Sequence, residues 1–158
     1  MLCTILPQSW VASIRKAVAV KGTRTAPWVL VVDDDAELRE TLRRMLESIG
    51  YRATCVADAN AAMSAIDETK PDIVITDIYM PAGDGFELLN WMRRQEIAVP
   101  VIAISGSSRT LSDRSRYDPL QMAQELGAVA VLDKPFRQSQ LAETIDRVLA
   151  NRGVPPRG

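Results

Sequence analysis

The chain has 158 residues, 47% of them hydrophobic, which is enough for one ordinary domain with its own core. Its net charge is −1, and the first 32 residues hold four basic residues and no acid, so the acidic remainder lacks the basic patch of a nucleic-acid-binding surface. The sequence has no histidine, which excludes Ser-His-Asp hydrolysis and histidine-ligated zinc and leaves carboxylates, hydroxyls and lysine for any chemistry.

The N-terminal segment does not resemble a secretion signal. Its short apolar stretch is broken by Pro7 and Gln8, and no positive side chain precedes it. Elsewhere no apolar run approaches the roughly 18 residues of a membrane span. We therefore expect a cytoplasmic protein that contacts neither membrane nor nucleic acid directly. We interpret residues 1–26 as a flexible extension, 27–151 as the folded domain and 152–158 as a short tail.

Short apolar runs rich in β-branched residues alternate with segments of helical period along the rest of the chain. Strands are predicted at Trp28–Val32, Arg52–Val56, Ile73–Thr76, Val101–Ile104 and Ala128–Leu132. A helix is predicted after each strand, namely around Leu38 to Ile49, from Asp58 to about Thr69, after Gly85, between the fourth and fifth strands, and from about Gln138 to Ala150.

Capping residues mark several of these helix ends. Gly50 stands where a left-handed residue would end the first helix. Asp58 or Asn60 can cap the second helix at its N-terminus. Asp84 and Glu87 have the spacing of a capping box at the start of the third helix.

The strict alternation of strands and helices predicts an α/β fold with a doubly wound parallel sheet. We expect the flavodoxin-like strand order 2-1-3-4-5, with helices on both faces. In such a sheet the carboxyl ends of all five strands lie along one edge, and ligands bind at that edge.

Polar side chains follow four of the five predicted strands. Asp33 and Asp34 come after the first strand, Asp77 after the third, Ser105 after the fourth and Lys134 after the fifth. Because these strand ends share one edge of the sheet, residues that are distant in sequence are predicted to form one site.

The charges of this group indicate a metal. Three carboxylates close together repel each other unless they share a cation, and carboxylate with carbonyl and water oxygens is the ligand set that Mg²⁺ prefers. Magnesium can also neutralise oxygens of an incoming phosphoryl group, which leaves another oxygen for Lys134 and Ser105. An aspartate in that position is a nucleophile.

These residues resemble the response-regulator receiver domains of two-component signalling. The resemblance covers about residues 27 to 150 and rests on the stretches VLVVDDDAELRETL, DIVITDIYMPAGDGFELL, PVIAISG and VLDKPF. It implies that Asp77 is the phosphoacceptor, that Asp34 binds the metal directly and Asp33 through water, and that the backbone carbonyl of Tyr79 is a further ligand.

The resemblance assigns the remaining roles and the partners. Lys134 would bind the phosphoryl group, Ser105 would move to hydrogen-bond it, and the bond between Lys134 and Pro135 would be cis. A histidine kinase or histidine phosphotransfer protein would donate the phosphoryl group, and the changed surface would bind an unidentified downstream protein. We expect a stand-alone signalling switch rather than an enzyme, since no second domain follows Arg152.

Two features depart from the family pattern. Val131 occupies the position, three residues before Lys134, where the family commonly has an aromatic ring that reports the switch. The loop of residues 106–119 is about seven residues longer than usual, and we expect it to be exposed. Tyr79 lies two residues after the acceptor, where its side chain can change the lifetime of the aspartyl phosphate.

Two other functions compete with this reading. A phosphatase of the haloacid dehalogenase type would use Asp33 as nucleophile and Asp35 as acid, although Asp35 reads more simply as a helix cap. The second acidic pair of such enzymes is not evident. A degenerate receiver that only scaffolds partners is the other alternative. Gly83 and Gly85 are interpreted as turn glycines, because a dinucleotide loop would need a third glycine.

Overall fold

Five parallel strands form one sheet in the order β2-β1-β3-β4-β5. The computed structural model describes residues 26–80, 85–106 and 119–153. Within them the elements are β1 (Trp28–Val32), α1 (Ala36–Ser48), β2 (Arg52–Val56), α2 (Ala59–Thr69), β3 (Ile73–Asp77), α3 (Gly85–Arg94), β4 (Val101–Gly106), α4 (Pro119–Glu125), β5 (Ala130–Lys134) and α5 (Gln138–Ala150). The predicted flavodoxin-like order is confirmed.

The helices cover both faces of the sheet. Helices α1 and α5 pack on one face through Leu42, Leu46, Leu141 and Ile145, against strand residues such as Ile75. Helices α2, α3 and α4 pack on the other face, where they bury Ile66, Leu88 and Ala123 against strand residues such as Val74. The strand β3 is buried along its whole length. Its apolar run therefore reflects burial on two faces.

Most of the predicted helix ends are found where the sequence placed them. Asp35 caps α1, because its Oδ1 accepts hydrogen bonds from the backbone N–H groups of Glu37 and Leu38. Gly50 follows α1 with a φ of 92°, the left-handed conformation that glycine adopts without strain. For α2 the cap is Asp58 rather than Asn60, since Asp58 accepts from the N–H of Ala61.

Three strands differ from their predicted bounds at the end that carries the polar residues. The strand β5 lies two residues later than predicted, because the N–H of Ala128 still bonds to the α4 carbonyl of Ala123 and pairing starts only at Ala130. The strands β3 and β4 continue through Asp77 and Gly106. Ladder pairing thus extends past the apolar run, and Asp77, Ser105 and Lys134 lie within the strand ends.

Several predictions fall on other parts of the chain. The extension at residues 1–26, the loop 106–119, the tail 152–158 and the cap at Asp84 lie wholly or largely outside the described residues. Of the helices in residues 26–80, 85–106 and 119–153, none is long and apolar enough to cross a lipid bilayer.

Candidate functional site

The carboxyl ends of β1, β3 and β5 bring the predicted charged residues together. Carboxylate oxygens of Asp33, Asp34 and Asp77 all lie within 4.8 Å of one another. The Nζ atom of Lys134 lies 3.0 Å from Asp33 Oδ2 and 2.8 Å from Asp77 Oδ2. We call these four residues the sheet-edge cluster. The parallel sheet explains this meeting, since Asp33 and Lys134 are 101 positions apart in the sequence.

Burial sets the ionisation of Asp33. Its side chain is 1% exposed, and this desolvation raises its pKa above the ordinary value. Hydrogen bonds from the Asp35 N–H and from Lys134 oppose the rise without cancelling it, while the nearby Asp77 carboxylate adds to it. The ionised form of Asp33 is therefore less favourable here than in water.

Lys134 has the opposite balance. Burial alone would lower its pKa, but the hydrogen bonds to Asp77 and Asp33 outweigh burial, so its pKa is raised. The ammonium group is held in its charged form between two carboxylates. The peptide bond that follows, Lys134–Pro135, is cis, as the family resemblance implied.

Asp77 is fixed from several sides at the end of β3. Its Oδ1 accepts from the N–H of Tyr79 at 3.1 Å, and its backbone carbonyl accepts from the Thr76 hydroxyl at 3.0 Å. The carboxylate of Asp77 points to Lys134 and stays close to the surface, with 10% of the side chain exposed. Tyr79 is 56% exposed, and its ring packs edge-on against Phe86.

Gly85 has a role beyond the turn that the sequence predicted. It is the first residue of α3, and its N–H donates to the carbonyl of Ile78 at 3.0 Å. A Cβ atom added there would lie 2.2 Å from the backbone oxygen of Asp77. Gly85 is therefore a close-approach glycine that lets α3 start directly against the Asp77 backbone, in addition to any role in the turn.

Sequence reasoning also missed Arg39. Its Nη1 donates to the backbone carbonyls of Asp33 at 2.7 Å and Asp34 at 3.0 Å. Asp34 itself is exposed. One sequence signal could have identified Arg39. It is a basic residue in the first turns of the helix that follows an acidic loop. The positive end of the helix dipole disfavours a cation there, so such a residue indicates a specific contact.

Ser105 is buried next to the cluster without joining it. Its hydroxyl donates to the carbonyl of Gly106 at 3.4 Å, a long contact of the local backbone kind. Val131 is partly buried and packs on the face of the sheet that α2, α3 and α4 cover. The structure thus brings Asp33, Asp34, Asp77 and Lys134 together and leaves Ser105 at their border.

The donor set fits a hard divalent cation. Three carboxylates and one ammonium leave the cluster with two uncompensated negative charges when all are ionised. The raised pKa of Asp33 is what such uncompensated, desolvated charge produces. Carboxylate oxygens beside an exposed Asp34, where water can complete the coordination, match the preference of Mg²⁺.

Comparisons with known proteins agree with this geometry. The family model of the response regulator receiver domain matches residues 29–146. The chain belongs to the response-regulator receiver family. The transcriptional regulatory protein FixJ of Bradyrhizobium diazoefficiens is 34% identical to this receiver domain over 122 residues, which make up 77% of this chain and 56% of FixJ.

Other comparisons give the same family. The transcriptional regulatory protein PrrA of Mycobacterium tuberculosis is 33% identical over 129 residues, 82% of this chain and 52% of PrrA. Among solved structures, the receiver domain of the Francisella response regulator 1452 superposes with a TM-score of 0.69 at 29% identity, covering 80% of this chain and 98% of that one. The chain spans about half the length of FixJ and PrrA. Receiver domains are signalling switches of two-component systems and pair with histidine kinases.

Proposed function

We propose that this receiver domain accepts a phosphoryl group on Asp77 from a partner phosphohistidine, in a reaction that requires Mg²⁺. The observation that carries the proposal is the meeting of the carboxylates of Asp33, Asp34 and Asp77 with the ammonium of Lys134 at one edge of the sheet. The donor would be a histidine kinase or a histidine phosphotransfer protein, since the chain has no histidine of its own.

Asp77 would act as the nucleophile. A carboxylate oxygen forms a bond to phosphorus while the bond between phosphorus and the donor's imidazole nitrogen breaks, and the product is an acyl phosphate. The hydrogen bond from the Tyr79 N–H to Oδ1 holds the carboxylate of Asp77 in one orientation. Lys134, whose Nζ lies 2.8 Å from Asp77 Oδ2, would neutralise a phosphoryl oxygen.

Asp33, Asp34 and the Tyr79 carbonyl would hold the metal together with Asp77. When bound, Mg²⁺ supplies positive charge that offsets the repulsion between phosphoryl oxygens and carboxylates. Asp33 keeps its orientation through the N–H of Asp35, 2.9 Å from its Oδ1, and through Lys134. Ser105 would turn its hydroxyl from the Gly106 carbonyl to the phosphoryl group, a short-range change next to the site.

The structural change at the phosphorylated site must then be transmitted to the surface without an aromatic ring at position 131. Val131 is partly buried and has one branched, stiff side chain. We propose that the acyl phosphate changes the surface around the β4 and β5 ends by the movement of Ser105, and that an unidentified protein target reads this change. Tyr79 is exposed and follows the acceptor by two residues, so its side chain can affect the access of water and hence the phosphate lifetime.

The contacts of Asp33 and Asp35 do not favour the haloacid dehalogenase alternative. Asp33, its nucleophile, has a side chain that is 1% exposed, against 10% for Asp77, and is therefore the less accessible carboxylate. Asp35, its acid, uses a carboxylate oxygen to cap α1. A catalytic acid has to present its proton to the leaving group, and capping occupies Asp35 instead.

Incubation with acetyl phosphate and Mg²⁺, followed by intact-mass measurement, tests the proposal. We expect a protein with one added phosphoryl group that hydroxylamine removes, and no product with EDTA. Asp77→Asn should abolish labelling. The matched control is Asp67→Asn, at an exposed position on α2, which should label like the wild type.

Each alternative predicts a different result in the same assay. Labelling that persists in Asp77→Asn would overturn the assignment of the acceptor. Absence of labelling in the wild type would favour the degenerate receiver, after a phosphorylated histidine phosphotransfer protein has also been tried as donor. Catalytic turnover of acetyl phosphate that Asp33→Asn abolishes and Asp77→Asn retains would favour the phosphatase.

A further inference from the structure

Arg39 contacts the acidic loop of residues 33–35, which follows β1. The two loop residues that it contacts, Asp33 and Asp34, supply two of the three carboxylates of the sheet-edge cluster. A single guanidinium nitrogen, Nη1, donates to the consecutive carbonyls of Asp33 and Asp34, at 2.7 and 3.0 Å. We propose that Arg39 is a positioning residue that holds this loop in its metal-binding conformation and so sets the affinity of the site for divalent cations. The inference rests on the proposed function, because it assumes that the sheet-edge cluster binds a metal.

The loop has other ties, but they act on its two ends. The N–H of Asp33 donates to the Val56 carbonyl at 3.2 Å, which anchors the loop to β2. Asp35 caps α1, and its own N–H donates to Asp33 Oδ1 at 2.9 Å. The exposed Asp34 lies between these anchors, and its carbonyl is tied to Arg39. Losing Arg39 would therefore release the middle of the loop, where the direct metal ligand sits.

The location of Arg39 needs this explanation. It lies in the fourth position of α1, near the positive end of the helix dipole, where a cation is unfavourable. Hydrogen bonds from a charged donor to two carbonyls are stronger than neutral ones and offset that cost. Arg43 and Arg44 on the same helix pair with Glu40 instead.

Positioning and charge predict opposite effects on metal binding. The guanidinium repels an incoming cation, so its charge alone would make the metal bind more tightly once Arg39 is removed. A mobile Asp34 would make the metal bind more weakly, because partners that orient metal ligands typically contribute 10- to 100-fold to affinity. The sign of the change therefore separates the two roles.

The test compares Mg²⁺ affinity by calorimetry, and Mn²⁺ affinity by electron paramagnetic resonance, in Arg39→Met, Arg39→Lys and wild type. We expect Arg39→Met to bind either metal roughly 10-fold more weakly or worse. Arg39→Lys keeps the charge and some donor capacity, and it should fall between the two. The matched control, Arg44→Met, removes the same charge from a side chain that is 75% exposed, and it should bind like the wild type.

A second measurement needs no metal. Amide hydrogen exchange at Asp34 and Asp35 in the metal-free protein should be faster in Arg39→Met than in Arg44→Met, because only the first variant frees the loop. If Arg39→Met does not fold, Arg39→Lys carries the test by the same two measurements, with a several-fold weaker affinity as the expected result.

Three results would overturn the inference. They are a metal affinity of Arg39→Met equal to or tighter than that of the wild type, identical behaviour of the Arg39 and Arg44 variants, and unchanged amide exchange. Failure of the proposed function looks different, because then the wild type itself would not bind Mg²⁺ or Asp34→Asn would bind it equally well.

Discussion

Two clusters of ion pairs in this chain have similar nitrogen–oxygen distances. In one of them the pKa of an acid is raised, and in the other it is lowered. In the sheet-edge cluster, Lys134 Nζ lies 2.8 to 3.0 Å from its carboxylates, yet the pKa of Asp33 is raised. On the outer face of α1, nitrogen atoms of Arg43 and Arg44 lie 2.7 Å from Glu40, and their hydrogen bonds lower the pKa of Glu40 to about 2. We call Glu40, Arg43, Arg44 and Glu47 the helix cluster.

Burial and charge balance explain the difference. The helix cluster pairs two acids with two arginines in contact with water, so ionisation has little desolvation cost. The sheet-edge cluster holds three acids to one lysine, and Asp33 is 1% exposed. An ion pair at hydrogen-bonding distance therefore does not by itself favour the charged acid. The unbalanced cluster is the one that a ligand of positive charge would stabilise.

Removing the lysine should give the largest effect on stability. Lys134→Met leaves Asp33 and Asp77 buried without the cation they share, and we expect the free energy of unfolding to fall by about 2–3 kcal/mol at neutral pH in EDTA. Urea denaturation measures the change. The matched variant in the helix cluster, Arg43→Met, should shift the midpoint only slightly. Equal losses in the two variants would contradict the distinction between the clusters.

A methyl group at Gly85 should disturb the sheet-edge cluster through the backbone. Gly85→Ala places a Cβ against the Asp77 carbonyl, and the overlap requires the backbone to move at a cost of about 1–3 kcal/mol. Labelling of Asp77 by acetyl phosphate should also slow. Gly106→Ala is the control, because a Cβ there meets nothing within 4 Å. If both alanines were equally tolerated, the close approach of α3 to Asp77 would not matter.

The strand order and the sheet-edge cluster were predictable because both follow from period and position. Apolar runs of strand length alternating with helical segments dictate the doubly wound sheet, and the sheet then places Asp33, Asp77 and Lys134 at one edge. No side-chain geometry was needed for that step. The cap at Asp35 was predictable as well, since it involves only backbone N–H groups two and three residues further along the chain.

The features that could not be predicted from the sequence depend on contacts between secondary-structure elements. The position of β5 was set by the Ala128 hydrogen bond to α4, which its apolar run does not encode. The close approach at Gly85 exists only when α3 is docked against β3. The Arg39 contacts require the helix and the loop to be placed in three dimensions. The role of Ser105 stays a prediction, since its hydroxyl here bonds to Gly106.

The pH dependence of stability should show the two clusters with opposite signs. The native state binds a proton on Asp33 more tightly than the unfolded chain does, so acidification from neutral pH toward the ordinary value of 3.8 stabilises the metal-free protein through this group. That contribution is lost as pH rises through the folded pKa. For Glu40 the stabilisation is present above its ordinary value of 4.5 and is lost as pH falls toward about 2.

Variants isolate the two contributions. The difference in unfolding free energy between wild type and Asp33→Asn should vary above pH 3.8, and that between wild type and Glu40→Gln below pH 4.5. Urea midpoints across the pH range measure both differences. Saturating Mg²⁺ should reduce the Asp33 contribution, because protons and metal compete for one carboxylate. A wild type whose stability relative to Asp33→Asn falls on acidification would refute the raised pKa.

The smallest expected effect is the dependence of stability on salt concentration, which should differ between the two clusters. Glu40→Gln should lower the free energy of unfolding slightly at low ionic strength. Near about 1 M salt, where the Debye screening length is about 3 Å, it should leave the free energy of unfolding unchanged. The loss in Lys134→Met should persist at high salt, since the carboxylates it leaves behind are largely out of contact with water. Thermal unfolding at two salt concentrations measures both. Salt that abolished the effect of Lys134→Met as well would mean that solvent reaches the sheet-edge cluster, and the desolvation that raises the pKa of Asp33 would then lack its cause.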